Sequence, residues 1–241
     1  MSTKQSADKL ILALDGMNKS EVFSLIRDIP ELCWVKVGLE LFISEGPDIV
    51  IALRDYGLKV FLDLKLHDIP VTMAGACRKA AQSGAELITV HACAGIDSLV
   101  QANESAKEGS AQANLPAPTL LAVTILTSWN SMKLKSELSL DQPIEKRVEL
   151  LADLAFKAGI GGCICSPLEV KSLRQLFSLP FQLVTPGIRP KGSSSDDQLR
   201  IMTPKEAIQC GASRIVVGRP ITQSISPVSS FQAICKELGS T

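Results

Sequence analysis

Short apolar runs alternate along the chain with longer stretches in which apolar residues recur every three or four positions. The runs cover residues 10–14, 33–38, 58–64, 87–91, 120–126, 162–166, 181–185 and 214–217. They are rich in Val, Ile and Leu and show little polar alternation, as expected of strands covered on both faces. The periodic stretches predict helices over 20–29, 44–56, 70–83, 96–107, 145–157 and 167–177, a short one from Thr203 to Gly211, and a last one over 227–238. End signals support these bounds. Asn18 and Glu21 have the spacing of a capping box, Pro70 suits a first helical turn, and Gly57 and Gly84 suit helix stops. Residues 129–142 show little pattern, and 114–118 reads as a loop. The Gly/Ser-rich stretch 190–197 is the best candidate for a mobile lid.

Eight strands alternating with eight helices, with no break in composition, predict one (β/α)8 barrel domain over residues 1–241. A doubly wound open sheet is the alternative, but no Gly-x-Gly-x-x-Gly follows the first run. In a barrel the active site belongs at the C-terminal ends of the strands.

Composition narrows the function. The 241 residues carry 25 basic and 25 acidic side chains, for a net charge of zero. No basic stripe points to nucleic acid, and no basic helix points to a membrane surface. No apolar run reaches transmembrane length, and the polar start Met1-Ser2-Thr3-Lys4-Gln5 lacks a signal-peptide core. The seven cysteines sit mostly in apolar or helical surroundings, and Cys163 and Cys165 make no Cys-x-x-Cys zinc pattern. Small buried thiols in a reducing cytoplasm are expected, with no metal.

Candidate chemistry concentrates in Phe61-Leu62-Asp63-Leu64-Lys65-Leu66-His67-Asp68-Ile69-Pro70. Residues two apart share a face of a strand, so Asp63 and Lys65 are expected to emerge together, with Asp68 in the following loop. Desolvating three such charges is costly unless they pair well. Taken alone, a salt-bridged rim that helps the loop turn explains them equally well. Asp15, Lys36, His91, Thr127, Ser128, Arg189 and Arg219 also fall at or near strand ends, and a barrel would carry the whole set to one mouth. Gly187, Arg189, Lys191 and Gly192 after the seventh strand, and Gly218 and Arg219 after the eighth, suit a phosphate site, with Arg219 the favoured contact.

The ordered series Leu12-Ala13-Leu14-Asp15, Lys36-Val37-Gly38, Asp63 to Pro70, Pro186-Gly187-Ile188-Arg189 and Val217-Gly218-Arg219-Pro220 resembles orotidine 5′-phosphate decarboxylase. The resemblance spans about residues 10 to 222. It implies removal of CO2 from orotidine 5′-monophosphate to give UMP, the last step of pyrimidine nucleotide synthesis, without metal or organic cofactor. It also implies a cytoplasmic homodimer with shared sites. Lys36, Asp63, Lys65 and Asp68 would form an alternating charge array, with Asp63 beside the substrate carboxylate and Lys65 protonating C6. Asp15 and Lys36 would bind ribose hydroxyls, with Asp68 and Thr72 added from the other subunit. Ser128 would read the pyrimidine edge, and Thr127 and Pro186 would line the site. Gln198 would bridge phosphate and base, and Gly218 and Arg219 would hold the phosphate. Arg189 matches a substrate-site motif, with a structural role expected for it and for His67 and His91.

Two other readings compete. The keto-gulonate-phosphate decarboxylases and hexulose-phosphate synthases are similar in fold and share an Asp-x-Lys-x-x-Asp pattern, but work through a Mg²⁺-stabilised enediolate. They need a further acid near the second strand, a place Glu40 could fill. A non-catalytic sensor of phosphoribosyl ligands is the other. It gains little from burying charges that repel its ligand.

Overall fold

The computed structural model describes residues 3–190 and 200–239. Eight parallel strands close into a barrel in sequence order. They are β1 (Leu10–Ala13), β2 (Trp34–Gly38), β3 (Lys59–Leu66), β4 (Leu87–His91), β5 (Thr119–Val123), β6 (Gly162–Ile164), β7 (Gln182–Thr185) and β8 (Arg214–Val217). Pairing of Leu10 with Ile215 and of Leu12 with Val217 joins β8 to β1 and completes the ring. Each apolar run of the sequence became a strand, in the predicted order.

Strand alternation divides the core in two. Leu12, Val37, Leu62, Ile88, Leu120, Leu183 and Ile215 face outward into the layer between barrel and helices. Ile11, Ala13, Trp34, Phe61, Leu87, Leu121, Val184 and Val216 face inward and fill the barrel's lower half. The next inward positions toward the strand C-termini are Lys36, Asp63 and Thr89, two residues beyond Trp34, Phe61 and Leu87. The polar site therefore rests on an apolar floor.

The helices depart from the sequence pattern in instructive ways. The capping box at Asn18 and Glu21 is formed and starts the helix Lys19–Asp28. The helix expected over 44–56 is two, Leu39–Glu45 and Asp48–Asp55. Pro47 between them has no N–H to donate and its ring clashes with a preceding turn. The helix expected over 96–107 continues as Ile96–Gln112. Gly109, inside that extension, packs on Arg78 of the helix Pro70–Gln82, where a Cβ would come within 2.5 Å of the Arg78 carbonyl oxygen. The patternless stretch 129–142 contains the helix Ser131–Leu138, capped by the Asn130 side chain accepting from the Lys133 N–H. The helix after Pro167 is shorter than expected, Val170–Leu176. Three helices match more closely: Ile144–Lys157, Pro204–Gln209 with its Thr203 capping box, and Pro227–Gly239. Two short ones, Thr3–Ala7 and Arg219–Thr222, complete the set described. No helix among the described residues is long and apolar enough to cross a membrane.

Candidate active site

The C-terminal ends of the strands open into a cavity of about 690 Å³. Asp15, Lys36, Asp63, Lys65, Thr127, Ser128, Pro186, Arg189, Gly218 and Arg219, all expected from the sequence, line it. Its apolar floor includes Ala13, Phe61, Val123 and Val216. Asp15 follows β1, Lys36 lies in β2 and Asp63 and Lys65 lie in β3, while Arg189 and Arg219 follow β7 and β8.

Lys36, Asp63 and Lys65 form a continuous ionic chain with Asp15. Lys36 Nζ lies 2.7 Å from Asp15 Oδ1 and 3.5 Å from Asp63 Oδ2. Lys65 Nζ is 2.9 Å from both Asp63 oxygens. Thr89 donates its hydroxyl to Asp63 Oδ1 at 3.0 Å. The side chains of Lys36 and Asp63 are only 9% and 11% exposed, against 31% for Lys65, so Lys65 is the more accessible of the two ammonium groups. Burial opposes ionisation of Asp63, but Lys36, Lys65 and the hydrogen bonds from Lys65 and Thr89 outweigh it. Its carboxyl is held below the usual carboxylate range and is ionised at neutral pH.

Lys65 reaches this place by an irregular backbone. Asp63 and Lys65 were expected on one face of a regular strand ending near residue 64. Instead β3 runs on to Leu66 with a register shift against β4 between Leu62 and Leu66. Within it Lys65 has φ 51°, a left-handed conformation that costs a non-glycine residue roughly 1–2 kcal/mol. The side chains meet, but through a bulge that aims Lys65.

Gly38 shows how tightly this wall is built. A Cβ there would stand 2.9 Å from Lys36 Nζ and overlap Asp15 Oδ1. Its backbone is extended (φ −92°), so a side chain there is opposed by space rather than torsion and would push the Asp15 and Lys36 tips aside. Gly38→Ala is expected to break the Asp15–Lys36 pair and lower kcat/KM by roughly 100-fold. Normal kinetics in that variant would contradict the tight approach.

Two expected residues lie elsewhere, and a third falls outside the described residues. Asp68 and Thr72 are exposed and do not line this cavity. Asp68 accepts from the Ile69 N–H at 2.7 Å and borders a separate depression with His67, Ile69, Cys93 and Ile96. Gln198, with Lys191, Gly192 and most of the stretch read as a lid, lies outside the described residues.

Sequence reasoning missed Thr89 and the Arg200–Glu169 pair, and it named Glu40, His67 and His91 without the placements found here. Thr89, fully buried, was read only as part of a strand. Its inward register, two residues above Leu87, was the available signal. Glu40 reaches the cavity rim, where it accepts from the Gly16 N–H at 3.2 Å. Arg200 pairs with buried Glu169 and donates to the Leu126 carbonyl at 3.3 Å, tying the loops after β5 and β6 together. The rings of His67 and His91 lie 5.5 Å apart beside the array. Burial, then His67 and Lys65, push the His91 imidazole below its ordinary value against the pull of Asp63. Cys77, Cys163, Cys165 and Cys235 are buried as expected, but Cys93 is exposed and Cys33 and Cys210 are half-buried.

Comparison with known proteins agrees with this architecture. Residues 8–234 match the model of the Orotidine 5′-phosphate decarboxylase / HUMPS family. The orotidine 5′-phosphate decarboxylase of Prochlorococcus marinus (strain MIT 9211) is 58% identical over 238 residues, covering 99% of each chain. That of Synechococcus sp. (strain CC9311) is 57% identical over 234 residues, covering 97% of this chain and 96% of that one. The crystal structure of the Lactobacillus acidophilus orotidine 5′-phosphate decarboxylase superposes with a TM-score of 0.83 at 38% identity, covering 96% of this chain and 99% of that one. By sequence match, fold and the order of its charged strand ends, the chain belongs to the orotidine 5′-phosphate decarboxylase / HUMPS family.

Proposed function

We propose that the protein decarboxylates orotidine 5′-monophosphate to UMP and CO2, the last step of pyrimidine nucleotide synthesis. The observation that carries this reading is the Lys36–Asp63–Lys65 chain at one wall of the cavity, with Arg219 in the same cavity. The names of relatives at 57–58% identity support it within a family whose description also covers HUMPS.

The chemistry follows from the charges. Breaking the bond from C6 to the carboxylate leaves an electron pair in the plane of the ring, outside its π system. Lys65 offers a fixed ammonium where that charge develops, and then a proton for C6. Its neutral amine regains the proton from solvent. Asp63, held ionised, places a like charge against the departing carboxylate. Such ground-state strain supplies roughly 1–5 kcal/mol, against the roughly 8–23 kcal/mol by which enzymes typically lower barriers. Most of the acceleration therefore falls to electrostatic stabilisation of the carbanion and to phosphate binding at Arg219 and Gly218, remote from C6. Asp15 and Lys36 take the ribose hydroxyls, Ser128 the pyrimidine edge, and Thr127, Pro186 and Arg189 shape the pocket.

The Asp63 environment favours this reading over a magnesium-dependent one. Both its oxygens accept from Lys65, and Thr89 and Lys36 add a hydrogen bond and an ion pair. A metal bound there would displace ammonium groups already in place.

The functional unit we propose is a homodimer in which Asp68 and Thr72 complete the partner's site. Ile69 and Val71, 65% and 74% exposed, provide apolar surface beside them. Incubation of purified protein with orotidine 5′-monophosphate is expected to yield UMP and CO2 in equal amounts, read by chromatography. Recovery of unchanged substrate would overturn the proposal.

A further inference from the structure

The bulge that aims Lys65 depends on one hydroxyl. Between the pairs Leu62–Ile88 and Leu66–Val90, β3 carries three residues where β4 carries one, Thr89. The Lys65 N–H, turned out of the regular ladder, donates to Thr89 Oγ1 at 2.8 Å. The same oxygen is 3.0 Å from Asp63 Oδ1. The direction of both bonds is fixed by chemistry. A backbone N–H can only donate and an ionised carboxylate can only accept, so the Thr89 hydrogen points to Asp63 and its lone pair receives Lys65. Thr89 is 0% exposed, so water cannot substitute for either bond without displacing it.

We infer that Thr89 is the positioning residue of the charge array: one buried hydroxyl fixes the backbone of Lys65 and the carboxylate of Asp63 together, and so sets where the ammonium stands relative to the reacting carbon. This rests on the reading of Lys65 as proton donor. Thr89 does not line the cavity. It acts through Asp63 and Lys65, which do. Two fixed points, one on the main chain and one on the ionic partner, leave the long Lys65 side chain less freedom than the ion pair alone would. Removing the hydroxyl leaves a buried N–H unmatched and allows the bulge to relax. The ammonium then samples positions away from C6, and small displacements of a reacting group cost rate rather than affinity.

Thr89→Val keeps the branched shape and removes the hydroxyl, while Thr89→Ser keeps the hydroxyl and removes a methyl. With orotidine 5′-monophosphate as substrate, Thr89→Val is expected to lower kcat by roughly 10- to 100-fold. Its KM and the dissociation constant of UMP should stay within about twofold of the parent, since ground-state contacts are retained. Thr89→Ser should recover kcat to within about threefold. Parental kcat in Thr89→Val, equal losses in both variants, or a loss confined to KM would overturn the inference. Should Thr89→Val fail to fold, Thr89→Ala against Thr89→Ser decides in the same way: a low kcat in the alanine variant alone supports the role, and equal kcat values overturn it. A parent protein without turnover would instead remove the proposed function itself.

Discussion

Lys65→Ala is expected to lose turnover by roughly 10⁴-fold or more while remaining folded. The size of the effect follows from the two tasks of one group. Its charge stabilises the developing carbanion and its proton completes the product, so its removal takes away both terms. The fold is less exposed to the change. Lys65 contributes no apolar packing to the inner core, and its side chain is about one-third exposed. Asp63, which would lose its closest ion-pair partner, keeps Lys36 at 3.5 Å and the Thr89 hydroxyl at 3.0 Å. Destabilisation of no more than about 2 kcal/mol is expected, well short of the cost of stranding an isolated buried charge. The substitution should thus separate catalysis from stability when turnover and thermal unfolding are measured on the same preparation. Near-normal turnover would remove Lys65 from the role of proton donor.

Mixing two inactive variants should restore activity. Asp68 stands outside the cavity of its own chain, beside exposed Ile69 and Val71. If it completes the partner's site, Asp68→Ala and Lys65→Ala homodimers each have two defective sites. A heterodimer of the two has one site carrying both defects and one carrying neither. Random re-association of equal amounts gives half heterodimers, so about one quarter of the wild-type activity should return. No separate intact chain is present to produce it. Absence of recovery in a mixture shown to contain heterodimers would place Asp68 outside the shared site, as would full activity of Asp68→Ala alone.

What the sequence disclosed and what it hid divide along physical lines. The strands were legible because a barrel strand is buried on both faces and leaves an unbroken apolar run. Their order was enough to bring Lys36 and Asp63 to one mouth as strand-end residues, and the structure sets them two residues beyond inward-facing Trp34 and Phe61. The break at Pro47 and the Asn130 cap were also written in the chain, but each was masked by a pattern read at longer range. The bulge at Lys65 had no local signature, since a lysine with positive φ is held there by its surroundings rather than by its own preference. Thr89 was hidden for a related reason. A threonine in an apolar strand is the expected residue whether or not its hydroxyl is used. Asp68 was legible as a loop charge after Asp63 and Lys65, but its role across a subunit boundary, and Thr72 altogether, came from resemblance, and a single chain leaves both on its surface.

The most direct test of metal-free decarboxylation by the Lys36–Asp63–Lys65 array is the loss of ultraviolet absorbance of orotidine 5′-monophosphate in excess EDTA. The account predicts conversion to UMP at a rate unchanged by EDTA or by added Mg²⁺. Conversion that stops in EDTA and returns with Mg²⁺ would contradict it and recast Asp63 as a metal ligand.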